Sequence, residues 1–224
     1  MAALEREVRP LVKHWRVSEK QHEGRRFQFF ENDRAVLVCG GVGPEPARRA
    51  AEAVMAFYPT GAIYSVGYAG ALHASLKVGQ MLYPSRVINA SDGSSLALAD
   101  GNGILVSYPQ VAGPEQKSKL RESYAAQAVD MEAAAVACAA ALRGVEFRAL
   151  KVISDEFDYR FPATERFVDS AGRFQECRFA WFVAVRPWLW PQVIQLARNS
   201  KRASKVLCAH LAEVCGEPIP PAEL

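Results

Sequence analysis

Between residues 34 and 155 the chain alternates short apolar runs with stretches of helical period. Residues 34–39 (RAVLVC) form an apolar run ending in GGVGP, and residues 44–58 follow as an alanine-rich helix whose prolines fall in its first turn, where they are tolerated. Residues 62–66 (AIYSV) are β-rich and end in GYAGAL. Residues 80–88 (QMLYPSRVI) and 104–107 (ILVS) are further strands, a helix is entered at Glu132, and residues 147–154 (FRALKVIS) make a strand that stops at Asp155. This alternation predicts a three-layer α/β fold with a mostly parallel central sheet flanked by helices. In such a sheet, ligands bind beyond the carboxyl ends of the strands. Those ends carry Gly40, Gly41 and Gly43, then Gly67 and Gly70, then Glu132, then Asp155. Glycines permit close backbone approach and acids supply chemistry, so one edge of the sheet is expected to hold a site.

The segment AVDMEAAAVACAAAL, residues 128–142, sharpens that expectation. Asp130 fits a helix cap, because an acid at a helix N-terminus meets exposed amides. Glu132 fits less well. The Ala, Val and Cys positions after it are apolar nearly all round, which marks a buried helix, and a shielded carboxylate needs a partner.

Composition narrows the function classes. The chain has 224 residues, half of them hydrophobic, which suits one globular domain spanning residues 1–224. A net charge of +3 with scattered basic residues argues for no nucleic-acid partner. The five cysteines, Cys39, Cys138, Cys177, Cys208 and Cys215, lack CxxC spacing and read as buried thiols in a reducing compartment. Nothing resembles a signal peptide or an apolar span of 18 residues, so a cytoplasmic location is expected. No zinc, haem or iron–sulfur ligand spacing is visible, and neither a metal nor a cofactor is expected. GGVGPEP lacks the glycine spacing of a dinucleotide site.

Four strings, GGVGPEPARRAAE, SVGYAGALHASLKVGQ, AVDMEAAAVA and VISDEFD, occur in this order and at these separations. Together they resemble the purine nucleoside phosphorylase and methylthioadenosine/S-adenosylhomocysteine nucleosidase superfamily. The resemblance runs from about residue 3 to residue 158. It implies cleavage of an N-ribosidic bond in a purine nucleoside, with Met131 under the ribose and Glu132 on its 2′- and 3′-hydroxyls. It gives Asp155 the protonation of the departing purine and Glu7, in ALEREV, the activation of water. Gly41, Gly43, Tyr68, Ala69, Gly70 and Ser154 fall where the substrate would lie. The residue types suit the reaction, since breaking the bond builds positive charge on the sugar and negative charge on the base.

Three departures shape the reading. The family places a strand before its ALEREV-like string, so either the sheet lacks its first strand or the native start lies upstream of Met1. LEREVRPLVKHW then carries Glu7 or is simply an amphipathic helix. The arginine and small hydroxyl residue that hold phosphate in phosphorylases are replaced by Val66 and Tyr68, with Arg48 and Arg49 as the nearest cations, so water is expected as the nucleophile and phosphate is the alternative. Tyr108 and Val111 stand where methylthioadenosine nucleosidases carry an adenine-packing phenylalanine, so the base contact is expected to be made differently and either the aglycone or the 5′-substituent to be unusual.

The tail bears on that substituent. Trp181, Phe182, Trp188 and Trp190 crowd around Pro187 and Pro191, and Arg198, Lys201, Arg202 and Lys205 follow. Either the aromatics pack on the sheet, or they form an apolar wall or a peripheral membrane contact. RPWLWP with LARNS is similar to hopanoid-associated members of the superfamily, which release adenine from a nucleoside joined to a polycyclic lipid. An adenosine with an apolar 5′-substituent is therefore the expected substrate. The resemblance also implies a homo-oligomer, and a non-catalytic nucleoside-binding protein is the reading of another class.

Overall fold

The computed structural model describes residues 1–161, 164–167, 169, 172 and 174–216. The side chain of Cys177 lies outside the described set; Cys39, Cys138 and Cys208 are free thiols, and of these only Cys208 is buried while Cys138 is exposed. Helix α1 (Glu5–Val12) precedes a hairpin of β1 (Arg16–His22) and β2 (Arg25–Glu31). Glu23 and Gly24 turn it with positive φ angles of 46° and 76°, the mirror-image turn that matches strand twist. β3 (Val36–Val38) pairs with β2 and completes a three-stranded antiparallel sheet.

Helix α2 (Pro44–Phe57) leads into β4 (Ala62–Ala71), the first strand of a seven-stranded sheet with β5 (Met81–Leu82), β6 (Arg86–Asn89), β7 (Ser95–Ala97), β8 (Ile104–Ser107), β9 (Ala128–Asp130) and β10 (Glu146–Asp155). Its order is β5-β10-β4-β9-β8-β6-β7. The body is parallel: β10 runs beside β4 from Glu146↔Ala62 to Asp155↔Gly70, and β8 is parallel to both β6 and β9. The short edges β5 and β7 are antiparallel, as is the two-residue junction of β4 with β9. Helices α2 and α4 (Ala133–Ala141) cover one face, while α1 and the long α6 (Trp190–Cys215) cover the other. Helix α3 (Pro114–Tyr124) follows β8, and α5 (Glu176–Ala184) precedes a single turn at Pro187–Leu189.

Two expectations change. The first strand, whose absence was one of two alternatives, is represented by residues 1–3. Ala2 bridges Cys39 in parallel, the Ala2 amide donates to Val38 O, and the Val66 amide donates to Met1 O, so these residues tie β3 to β4. The string GYAGA, read as a loop beyond a strand, is instead the second half of β4, whose pairing with β10 carries it on to Ala71.

Candidate active site

Asp130 ends β9 and is fully engaged there. Its Oδ2 accepts the Ala133 amide at 2.9 Å, capping α4, and its Oδ1 accepts Ser107 Oγ at 2.5 Å. The Lys151 ammonium, buried on β10, lies 2.8 Å from the same Oδ2 and donates to Ser65 Oγ at 3.1 Å. Burial would depress that ammonium, but Asp130, Glu132 and Glu7 outweigh it and hold the charge.

With the cap supplied by Asp130, Glu132 turns elsewhere. It makes no capping bond; its Oε1 accepts the Gly43 amide at 3.0 Å and its Oε2 the Met131 amide at 3.4 Å. Burial pushes its carboxyl up to about 7; Lys151 opposes the shift and Asp130 adds to it.

Glu7 arrives from the opposite face of the sheet on α1. The bonds from Gly40 and Gly41 to Ala2 and Ala3 fix the start of that helix, and Ser204 Oγ of α6 donates to the Glu7 carbonyl at 3.0 Å. The carboxyl is buried, and Oε2 has no hydrogen-bond partner among the described residues. It lies over Gly67 of β4, where a Cβ would come within 2.7 Å of Oε2 and φ is +142°, so glycine is needed for both space and conformation. Burial and the charge of Glu132 push Glu7 up to about 8.

The third acid stands at the end of β10. Asp155 accepts Ser154 Oγ at 2.7 Å on Oδ1 and the Lys117 ammonium at 2.5 Å on Oδ2. Lys117 is a buried residue of α3, and it also donates to Glu156 O at 2.6 Å. Both partners press against Gly70, where a Cβ would sit 2.8 Å from Asp155 Oδ2 and 3.1 Å from Lys117 Cε.

One cavity of about 510 Å³ collects these groups. Glu7, Tyr68, Ala69, Gly70, Met131, Glu132, Ser154 and Asp155 all line it, as the sequence reading grouped them, and Lys117 joins them. Gly43 touches it only through its bond to Glu132, and Gly41 lies in an adjoining hollow of about 400 Å³ with Arg6, Arg25 and Arg26. Arg48 and Arg49 are elsewhere, on α2, where both bind the exposed Glu45 and Arg48 also binds the buried Glu52. Tyr108 is not among the lining residues, whereas Val111 is. Phe161, Phe174, Phe179, Val193 and Leu196 form an apolar part of the remaining wall, which also carries Arg6, Gln110 and Ser200. Other residues of the tail make that wall: Trp181, Phe182, Trp188 and Trp190 do not line the cavity, and the tryptophans are not core, with Trp181 and Trp188 73% and 70% exposed. A larger cavity of about 790 Å³ opens at the other end of β4 and β10, where Tyr83 and His210 bond to each other at 2.6 Å.

Lys117 and Lys151 were not anticipated. A lysine in the apolar run FRALKVISD was a signal for Lys151, because an unpaired lysine is almost never fully buried. PEQKSKLRESY, which carries Lys117, reads as a polar surface segment and gives none.

Comparison with known families finds a match to the phosphorylase superfamily over residues 1–112 and 101–184. Among solved structures, the chain is similar to the 5′-methylthioadenosine/S-adenosylhomocysteine nucleosidase of Neisseria meningitidis in complex with methylthio-immucillin-A, at 19% identity over 95% of each chain, TM-score 0.70. It is similar also to the S-adenosylhomocysteine nucleosidase of Streptococcus pyogenes in complex with 5-methylthiotubericidin, at 19% identity over 95% of this chain and 94% of that one, TM-score 0.65. The native futalosine hydrolase of Helicobacter pylori matches at 19% identity over 69% of this chain and 85% of its own, TM-score 0.60. Comparison with curated proteins finds no match.

Proposed function

Because the chain belongs to the phosphorylase superfamily, we propose that it hydrolyses the N-ribosidic bond of a purine nucleoside, an adenosine with an apolar 5′-substituent, and releases adenine. The observation that carries this reading is one cavity holding two buried carboxyls of raised proton affinity, Glu7 and Glu132, together with the Asp155–Lys117 pair. Glu132 would take the ribose 2′- and 3′-hydroxyls as the donors its buried carboxylate needs, with Met131 beneath the sugar. As the bond from C1′ to the base breaks, its electron pair goes to the purine, which takes a proton at the Asp155 end. A water molecule attacks C1′ and yields its proton to Glu7, whose unpartnered Oε2 is suited to accept it. The phenylalanines of the wall support an apolar 5′-group.

Phosphorolysis is the second reading, favoured by the hollow with Arg6, Arg25 and Arg26 beside Gly40 and Gly41. The test is incubation of the protein with adenosine, methylthioadenosine, S-adenosylhomocysteine and a lipid-linked adenosine, with and without phosphate, beside Asp155→Asn and Glu132→Gln. Adenine released without phosphate and lost in both variants is the expected result. Release only with phosphate, with ribose 1-phosphate formed, moves the protein to the second reading. Binding without release from every nucleoside makes it a binding protein.

The proposal extends to partners. No described helix is long and apolar enough to cross a membrane. The exposed Trp181, Trp188 and Trp190, with six cations and no acid between Glu176 and Glu213, support a peripheral contact with an anionic membrane, in a cytoplasmic homodimer. Sedimentation with anionic vesicles, lost in Trp181→Ser/Trp188→Ser, tests the contact.

A further inference from the structure

Asp155 is surrounded by donors. Ser154 Oγ meets one oxygen and the Lys117 ammonium the other. Both oxygens of Asp155 thus accept hydrogen bonds in this structure. An ammonium carries three N–H donors, and Lys117 uses one on Asp155 Oδ2 and one on Glu156 O. The described residues supply no acceptor for the third, and the side chain lines the cavity. Gly70, where any Cβ would strike both Lys117 and Asp155, lets the buried ammonium pack against the end of β4 at the cavity wall.

We infer that Lys117 is the proton donor to the departing base, its third N–H directed to the purine N7 while Asp155 holds the ammonium in place and accepts from the 6-amino group. The inference rests on the nucleosidase reading above and assigns the proton that reading requires. The C1′–N9 electrons go to the base, N7 takes a proton from Lys117 Nζ, and the ammonium becomes an amine. The attacking water leaves its hydroxyl on C1′ and its proton on Glu7. Exchange with solvent then returns a proton to Lys117 and removes one from Glu7.

The other charged or titratable groups on the neighbouring elements do not compete for Asp155. Arg121 of α3 lies over the Phe157 ring, Glu115 pairs with Lys119, the Glu156 carboxylate pairs with Lys77 at 3.2 Å, and burial and the Asp155 charge keep Tyr159 protonated.

The probes are adenine and 7-deazaadenine, which differ in the N7 acceptor, with calorimetric binding to the wild-type chain, Lys117→Arg and Lys117→Met. Base release from adenosine and 7-deazaadenosine is measured in parallel from pH 6 to 9. The wild type should prefer adenine by about tenfold or more, the value of a hydrogen bond to a charged donor, and Lys117→Met should lose the preference. Lys117→Arg keeps a donor that does not give up its proton, so it should keep the preference and lose turnover. Equal affinity of the wild type for the two bases, a preference that survives in Lys117→Met, or wild-type turnover in Lys117→Arg would each overturn the inference and leave the nucleosidase reading standing. Failure to bind adenine, or to release base from any nucleoside, would sink both.

Discussion

Glu7 is the group whose cost to the fold can be measured apart from its chemistry, by replacing it with Gln. Its carboxyl is buried, one oxygen lacks a partner, and it holds its proton to about 8 instead of 4.5. At 1.36 kcal/mol per pH unit, that difference corresponds to roughly 4–5 kcal/mol between the native and unfolded chains. The native state binds the proton more tightly, so the stabilisation is complete below the unfolded value and is lost as pH rises through about 8. Gln does not titrate, although its buried amide lacks at least one partner at a cost of about 1–3 kcal/mol.

Urea denaturation of the wild type and Glu7→Gln at pH 5, 7 and 9 should therefore show a gap that changes sign. At pH 5 the variant should be the weaker by about 1–3 kcal/mol. At pH 9 it should be the stronger by about 2 kcal/mol, with base release abolished. Part of the swing belongs to Glu132, which raises Glu7 and is relieved by its removal. A gap that stays constant within about 1 kcal/mol from pH 5 to 9 would refute the claim that Glu7 is held protonated by burial.

Three further outcomes follow from the same charges. Lys151→Met strips Asp130 of its buried cation and should cost about 3–5 kcal/mol by urea denaturation; a loss below 1 kcal/mol would show that Ser107 and the Ala133 amide suffice. Gly70→Ala places a methyl against Asp155 and Lys117, and should lower base release far more than stability, which drops by about 1–3 kcal/mol; unchanged turnover would mean that the pair need not stand where it does. If Glu132 takes the ribose hydroxyls as proposed, Glu132→Gln should weaken nucleoside binding by about a hundredfold while leaving free adenine binding intact; an equal loss for adenine would place Glu132 at the base.

Acids were easier to read than the cations that serve them, and the reason is packing. Asp130, Glu132 and Asp155 interrupt apolar runs of β9, α4 and β10, so each stands out against its neighbours. The α2 helix was equally plain, since Pro44 and Pro46 fall at its start and alanines fill its buried face. By contrast, α3 buries only Lys117 and Leu120, so PEQKSKLRESY has no apolar period and the helix itself passed unnoticed. The β1–β2 hairpin was missed for a related reason: β1 exposes or half-exposes every residue, and its charges mask the alternation.

That asymmetry bears on how the site works. A lysine reaches its partner along a stem of four carbons, so Lys117 can sit on an otherwise polar helix and still deliver an ammonium to the end of β10. A carboxylate has a shorter reach and must be carried by the strand or helix end that forms the wall, where its sequence context betrays it. Lys151, by contrast, lies on β10 itself, four residues before Asp155, and its charge faces Asp130, Glu132 and Glu7 from below the cavity. The two lysines thus divide the acids between them. Lys151 makes it tolerable to bury the three carboxyls of Asp130, Glu132 and Glu7, and Lys117 neutralises the fourth, Asp155. Removing either leaves a different acid uncompensated, so Lys151→Met should raise the proton affinity of Glu7 and Glu132 and shift the rise of activity with pH upward, whereas Lys117→Met should act at the base end alone.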